Sequence, residues 1–209
     1  MQIQGIIPLG TSLDYESERT RKHGCWDGPS LLAPTIKAWT TDEKTQDFEP
    51  NEDYCNFLID IGFGKNCDKE ARDFWVKTIK SNYHGDDGRR RARMAAINLS
   101  ERDGLHSRLS DVRCPVLWLH VSTQQLLSHA KCRSSWRVAH THTVSLTTTV
   151  QGTDDAVYTV PNAEEEIKLF VNSPDARLVT VEGGQHFLSF SHPKEVDQNL
   201  IDFVGKYSK

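Results

Sequence analysis

Two short runs in the last third of the chain combine residue types that do acid–base chemistry. Gly152-Thr153-Asp154-Asp155 supplies carboxylates, and Gly183-Gly184-Gln185-His186-Phe187 supplies an imidazole. An acidic residue just past one buried strand and a histidine just past the next are the last two members, in chain order, of a nucleophile–acid–histidine triad. In such a device the histidine turns one ring nitrogen toward the nucleophile or attacking water, while a buried carboxylate fixes the other. The third member belongs upstream, on a sharp strand-to-helix turn of the form G-x-S-x-G, and the sequence contains no such run. Ser12, in Gly10-Thr11-Ser12-Leu13-Asp14, has the look of a damaged elbow because it follows an apolar run and a glycine. The second glycine is absent, and Asp14, Pro29 and Pro34 do not suggest the helix that should follow, so a strand-end loop is the better reading.

The elements that must position these residues alternate in type. Ile3, Gly5, Ile6, Ile7 and Leu9 make a near-continuous apolar run, as do Cys114 to His120 and Ala176 to Val181. Such runs read as strands of a parallel sheet covered on both faces. Between the last two, Pro161 suits a first helical turn, with Ala163, Ile167, Phe170 and Val171 on one face. Pro193 opens a last helix that turns Val196, Leu200, Phe203, Val204 and Tyr207 inward. Residues 13–110 are polar and helix-rich. Asn51 caps a helix with Tyr54, Phe57, Leu58 and Ile61 at i, i+3, i+4, i+7, closing at Gly62 or Gly64. A second helix carries Phe74, Trp75 and Ile79. A third follows Gly88 and starts with Arg89, Arg90, Arg91 and Arg93, read as a solvated face near Asp86 and Asp87 rather than a phosphate site.

Residues 121–151 break the rhythm. The segment has no Asp, Glu, Gly or Pro, and it exceeds the usual loop range of about 12–15 residues. Removing it joins His120 to Gly152 and restores a strand running straight into the acid turn. The segment is either a real family-specific loop or a translated, unremoved intron, and the intron is the favoured reading: Val121-Ser122 can be encoded by GTAAGT, Leu146-Thr147 can contain a CTAAC-like branch sequence, and Gln151 can be a terminal CAG. His129, Cys132, His140 and His142 in this segment match no zinc spacing with a defined second pair, so no metal is expected.

With that segment set aside, the chain resembles the C-terminal half of the α/β-hydrolase superfamily. The resemblance is carried by Gly5 to Ser12, Cys114 to His120, Gly152 to Asp155 and Gly183 to Phe187. It implies an α/β fold, the C-terminal half of a doubly wound parallel sheet. Residues 1–12 would be a core strand, 13–110 a helical cap over the active-site mouth, and 111–209 the C-terminal core. In the family the acid follows the penultimate strand as G-x-x-D, which points to Asp155, with Asp154 as the fallback, and the base matches His186. The implied parent activity is hydrolysis of a small ester through an acyl-enzyme intermediate. An epoxide hydrolase or dehalogenase, with an aspartate nucleophile, is the alternative within the fold, and a non-catalytic binding remnant is the alternative outside it. No cofactor is implied. Without the elbow and the oxyanion hole, the 209-residue chain is expected to be inactive, and a short sheet with an open edge is expected to be poorly soluble.

Composition adds exclusions. A formal net charge of −4 gives no electrostatic reason to expect nucleic acid or an anionic membrane. No apolar run approaches the roughly 18 residues of a membrane span. Five scattered cysteines and the absence of a signal-peptide pattern fit a reduced, cytoplasmic setting. The expected partner is a small-molecule substrate of the full-length parent, with oligomeric state open. Trp26, Trp39, Phe57 and Trp75 are candidates to line an apolar acyl or ring pocket, against the plainer reading that they are core.

Overall fold

A computed structural model describes residues 3–122, 155 and 157–208. The helices and strands follow in the order α1 (Glu18–Lys22), α2 (Gly28–Ala38), α3 (Glu52–Phe63), α4 (Lys69–Asn82), α5 (Gly85–Glu101), β1 (Val116–Ser122), α6 (Val160–Glu166), β2 (Ala176–Glu182), α7 (Leu188–Ser191) and α8 (Pro193–Tyr207). Of the segment proposed as an intron, Val121 and Ser122 form the end of β1, while residues 123–151, which include His129, Cys132, His140 and His142, lie outside the described residues, as does the alternative acid Asp154.

Strands β1 and β2 pair in parallel, from Val116 opposite Ala176 to Ser122 opposite Glu182. On the other side of β1, the opening segment adds parallel bridges at Ile6–Val116 and Leu9–Leu119. The Ile6 amide donates to the Pro115 carbonyl at 3.0 Å, and the Gly10 amide donates to the Leu119 carbonyl at 2.9 Å. Strand β1 is therefore central, and its run from Val116 to Val121 is buried. Its odd-numbered residues Leu117, Leu119 and Val121 pack with Val181, Leu188, Val196 and Phe203. Val116 and Trp118 pack on the opposite face with Leu109, Ala163 and Phe170. A strand sandwiched this way has no polar face, which is why its sequence reads as unbroken apolar residues.

Some expectations are corrected. The opening run is not covered on both faces: Ile3 is 64% exposed, and the run touches β1 only at bridges. Pro8, which has no amide proton, sits mid-run, although its carbonyl still accepts from the Leu119 amide. Pro29 and Pro34 do lie in a helix, because Asp27 caps α2 and Pro29 occupies its first turn with Pro34 inside, but α2 begins at Gly28, after α1, and is not a helix that follows directly on Ser12. Gly88 lies inside α5 rather than before it, where an added Cβ would come within 2.2 Å of the Tyr83 carbonyl carbon. The face read through Val171 stops short, since α6 tightens to a 3₁₀ turn at Ile167–Leu169 and leaves Val171 exposed. Val204 is likewise exposed on α8.

The block between the opening segment and β1 is two packed helix pairs, α2 with α5 and α3 with α4. Asn51 caps α3 through the Tyr54 amide at 2.8 Å, and Gly64 closes it at φ 81°. Arg89 departs from the solvated-face reading. It is 4% exposed and donates to the Trp39 carbonyl, the Thr45 hydroxyl and the Asp86 carboxylate, tying the chain after α2 to the start of α5. The two ends of the block meet where the Leu105 amide donates to the Leu13 carbonyl at 2.8 Å.

Candidate active site

The sheet delivers both sequence-marked residues to one place. Asp155 sits beyond the end of β1, and His186 four residues beyond β2, on the turn that leads into α7. Two parallel strands end on the same side of a sheet, so the loops that follow them share one rim. Asp155 Oδ2 and His186 Nδ1 are 3.1 Å apart. The carboxylate is 2% exposed, and its other oxygen, Oδ1, accepts the Val157 amide at 2.8 Å and the Tyr158 amide at 3.0 Å. Those amides fix the carboxylate plane, and the carboxylate in turn fixes the imidazole. Among the described residues, nothing hydrogen-bonds to His186 Nε2.

Gly10 shows how closely the opening segment supports this pair. It holds φ +51°, and a Cβ there would lie 2.5 Å from the His186 carbonyl oxygen and 3.9 Å from Asp155 Oδ2. Only glycine takes this conformation without strain while letting the backbone of the histidine loop approach. The helical block grips the same loop from above. The Phe187 amide donates to the Gly62 carbonyl at 2.9 Å, and Phe63 meets Phe187 and Phe190 edge to face at 5.0 and 4.7 Å.

The acid's loop is held by a second polar cluster that the sequence did not signal. The Tyr158 hydroxyl donates to Glu16 Oε1 at 2.7 Å, and Arg102 Nη2 donates to the Tyr158 oxygen, to Glu16 and to the Asp14 carbonyl. Glu16 and Arg102 flank the helical block at its two ends, so one ion pair closes the block and braces Tyr158. Burial raises the Tyr158 hydroxyl well above its ordinary range, with Arg102 pulling the other way. No local pattern links residues so far apart, which is why sequence reasoning missed them.

His120 lies toward the end of β1 and is fully buried. Burial pushes its imidazole down, against the pull of the Asp155 carboxylate. Neither of its ring nitrogens makes a hydrogen bond among the described residues.

Ser12 is placed elsewhere. Its side chain is 3% exposed, and its hydroxyl donates to Glu166 Oε1 at 2.8 Å. It also accepts the Asp14 amide at 3.1 Å, and Asn162 donates to the same Glu166 oxygen at 2.9 Å. No non-glycine residue among those described has positive φ, so Ser12 does not sit on a strained elbow. It is the strand-end residue that the sequence suggested.

A cavity of about 580 Å³ opens beside the pair, with His186 and Tyr158 in its wall. Trp26 and Trp75 line it, against the plainer reading that they are core. Trp39 does not: it packs edge to face against Phe48 and Tyr54, inside the block. Phe57 is not part of the wall either, and Leu58, Ile61, Phe63, Phe187 and Phe190 are. Among the described residues no cluster of three or more His, Cys, Asp or Glu could hold a metal, and no helix is long and apolar enough to cross a membrane.

No protein-family model and no curated protein sequence matches this chain. Solved structures do. An esterase from Thermogutta terrifontis, determined with malate bound, superposes with a TM-score of 0.57 at 15% identity, covering 99% of this chain and 57% of its own. MenH from S. aureus gives 0.55 at 12% identity, covering 99% and 60%. An esterase from Rhodococcus sp. ECU1013 gives 0.55 at 17%, covering 98% and 56%. The chain therefore has an α/β-hydrolase fold and spans less than two thirds of the length of these structures.

Proposed function

We propose that this chain carries the acid–base half of a hydrolase acting on a small ester, with His186 as the base, Asp155 as the residue that orients it, and residues 13–110 as a cap over the substrate cavity. The observation that carries the reading is the Asp155–His186 contact at 3.1 Å, built on a buried carboxylate and leaving the second ring nitrogen without a partner among the described residues. In the reaction His186 Nε2 takes the proton from a nucleophile's hydroxyl as that oxygen attacks the ester carbonyl. It then returns the proton to the departing alcohol, and repeats the cycle with water to release the acid. Asp155 stabilises the imidazolium formed at each stage. The nucleophile is a residue outside those described, since Ser12 is engaged with Glu166 and no described residue hydrogen-bonds to His186 Nε2. The 209-residue chain is inactive by itself.

Sequencing the transcript across codons 120–152 and toward its 5′ end tests this. The expected message joins His120 to Gly152 and extends upstream into a G-x-S-x-G coding run, and its product hydrolyses p-nitrophenyl acetate while the 209-residue chain does not. An aspartate at the elbow moves the parent to the epoxide hydrolase or dehalogenase class. A message that starts at Met1 and keeps codons 121–151 ends the hydrolase reading and leaves a binding role.

A further inference from the structure

Helix α4 carries Trp75, Thr78, Ile79 and Asn82 at i, i+3, i+4, i+7, the spacing of a face meant for burial. Yet no residue of α4 is buried. The stripe faces the cavity beside His186 instead of a core. Phe63, Phe187 and Phe190 also line it, with the last two about half exposed. Phe63 also stacks on Trp75, with ring centres 5.2 Å apart and planes 27° apart.

Charge is sorted across the same helices. No Asp, Glu, Lys or Arg lines the cavity among the described residues; its polar groups are hydroxyls, two indole N–H groups, one amide and the His186 ring. The Glu16 and Arg102 that hydrogen-bond to Trp26 and Tyr158 are paired with each other behind the wall. The charged side chains of α3 and α4, among them Glu52, Arg72, Asp73, Lys77 and Lys80, line a separate cleft on the other side of the pair. A wall whose described residues carry no Asp, Glu, Lys or Arg, and whose nearest charged groups are already paired behind it, penalises any ligand that brings a charge, because the charge loses its hydration without compensation. Edge-to-face aromatic walls favour a ring or a compact branched hydrocarbon.

We propose that this cavity binds an uncharged ester with an aryl or branched apolar acyl group, and that it excludes the carboxylate which hydrolysis of that ester would leave. The neutral wall is thus a product-release device as well as a selectivity filter: cleavage converts a ligand that the cavity accepts into one that it rejects. The inference rests on the hydrolase reading for the reaction, but the binding selectivity stands independently of it.

The test uses the 209-residue chain at low micromolar concentration, titrated with methyl phenylacetate, phenylacetate and phenethylammonium, and followed by tryptophan fluorescence and calorimetry. The ester is expected to bind about tenfold or more tightly than either ion. Trp75→Ala should weaken the ester severalfold, and Lys77→Ala, in the charged cleft, should leave it unchanged. Circular dichroism confirms that each variant folds. Ile79→Lys supplies a second check, since a cation in the wall should raise phenylacetate binding relative to the ester. Equal binding of ester and acid, no binding of the ester, or no response to Trp75→Ala and Ile79→Lys overturns the proposal. If the selectivity holds and the product of the complete message turns over no ester, the hydrolase reading fails and the binding site stands.

Discussion

Glu166 and Asp155 are both carboxylates buried to 2% exposure at the rim of the same small sheet, and they do opposite things with it. Glu166 is closed. One oxygen accepts from Ser12 and Asn162, and the other from the Leu13 amide at 2.9 Å, so its donors are all short side chains or backbone. Asp155 has one oxygen closed by backbone amides, while the other holds an imidazole whose far nitrogen has no hydrogen bond among the described residues. The first arrangement stores its hydrogen bonds as structure. The second passes them through a ring to a place where a proton can move. Burial and residue type alone do not separate the two cases. The onward connection does.

The largest expected effect separates them by readout. In the hydrolysing protein, Asp155→Asn should lower kcat on the order of 10³–10⁴-fold, because an amide no longer selects the tautomer that turns a basic nitrogen toward the nucleophile. Thermal stability should change little by comparison. Glu166→Gln should do the reverse. Its amide nitrogen faces a donor whichever way it turns, costing roughly 1–3 kcal/mol of stability with the rate preserved. Ser12→Ala belongs with Glu166: a smaller loss of stability and full activity. Loss of activity in Ser12→Ala with the fold intact would reopen it as a nucleophile and collapse the comparison. Parallel measurements of melting temperature and steady-state rate on these variants decide it.

Gly10→Ala tests whether the open pair depends on the segment beneath it. A left-handed conformation costs an alanine about 1–2 kcal/mol, and its Cβ would press on the His186 carbonyl. We expect a drop in melting temperature together with a several-fold fall in kcat, as the histidine loop lifts off Asp155. A stability loss without a rate change would show that the loop keeps its alignment by its other attachment, the Phe187 amide on the Gly62 carbonyl.

How much of this was legible in the sequence depends on how far each contact reaches along the chain. Strands β1 and β2, the first-turn prolines Pro161 and Pro193, and the Asn51 cap are local, and they stand where periodicity and cap chemistry put them, whereas the opening run forms only bridges. The Asp155 and His186 runs were legible because each follows a strand, and parallel strands place their following loops together. Periodicity identified apolar faces but not what each face would meet. Trp75 meets a cavity and Trp39 meets Phe48 and Tyr54, although both sit in amphipathic surroundings. Least legible were partners distant in sequence. Ser12 reaches Glu166, and Glu16 reaches Arg102 and Tyr158, only after the sheet has folded.

The smallest effect sharpens the comparison with a third carboxylate. Asp86 is closed in the manner of Glu166 but near the surface: Oδ1 accepts from Arg89 at 3.0 Å and from the Thr45 amide and hydroxyl, and Oδ2 pairs with Arg90. Hydrogen bonding by Arg89, then by Thr45, holds its carboxyl down at about 2 against an ordinary 3.8. A folded value below the unfolded one means that the contribution is complete above about pH 4 and is lost as pH falls toward about 2. Asp86→Asn should therefore be less stable than the wild type at neutral pH, with the gap closing between those limits. Urea midpoints for both proteins at pH 7 and pH 2.5 measure this. A gap as wide at pH 2.5 as at pH 7 would mean that Asp86 contributes by shape, and that a closed carboxylate stabilises this fold without needing its charge.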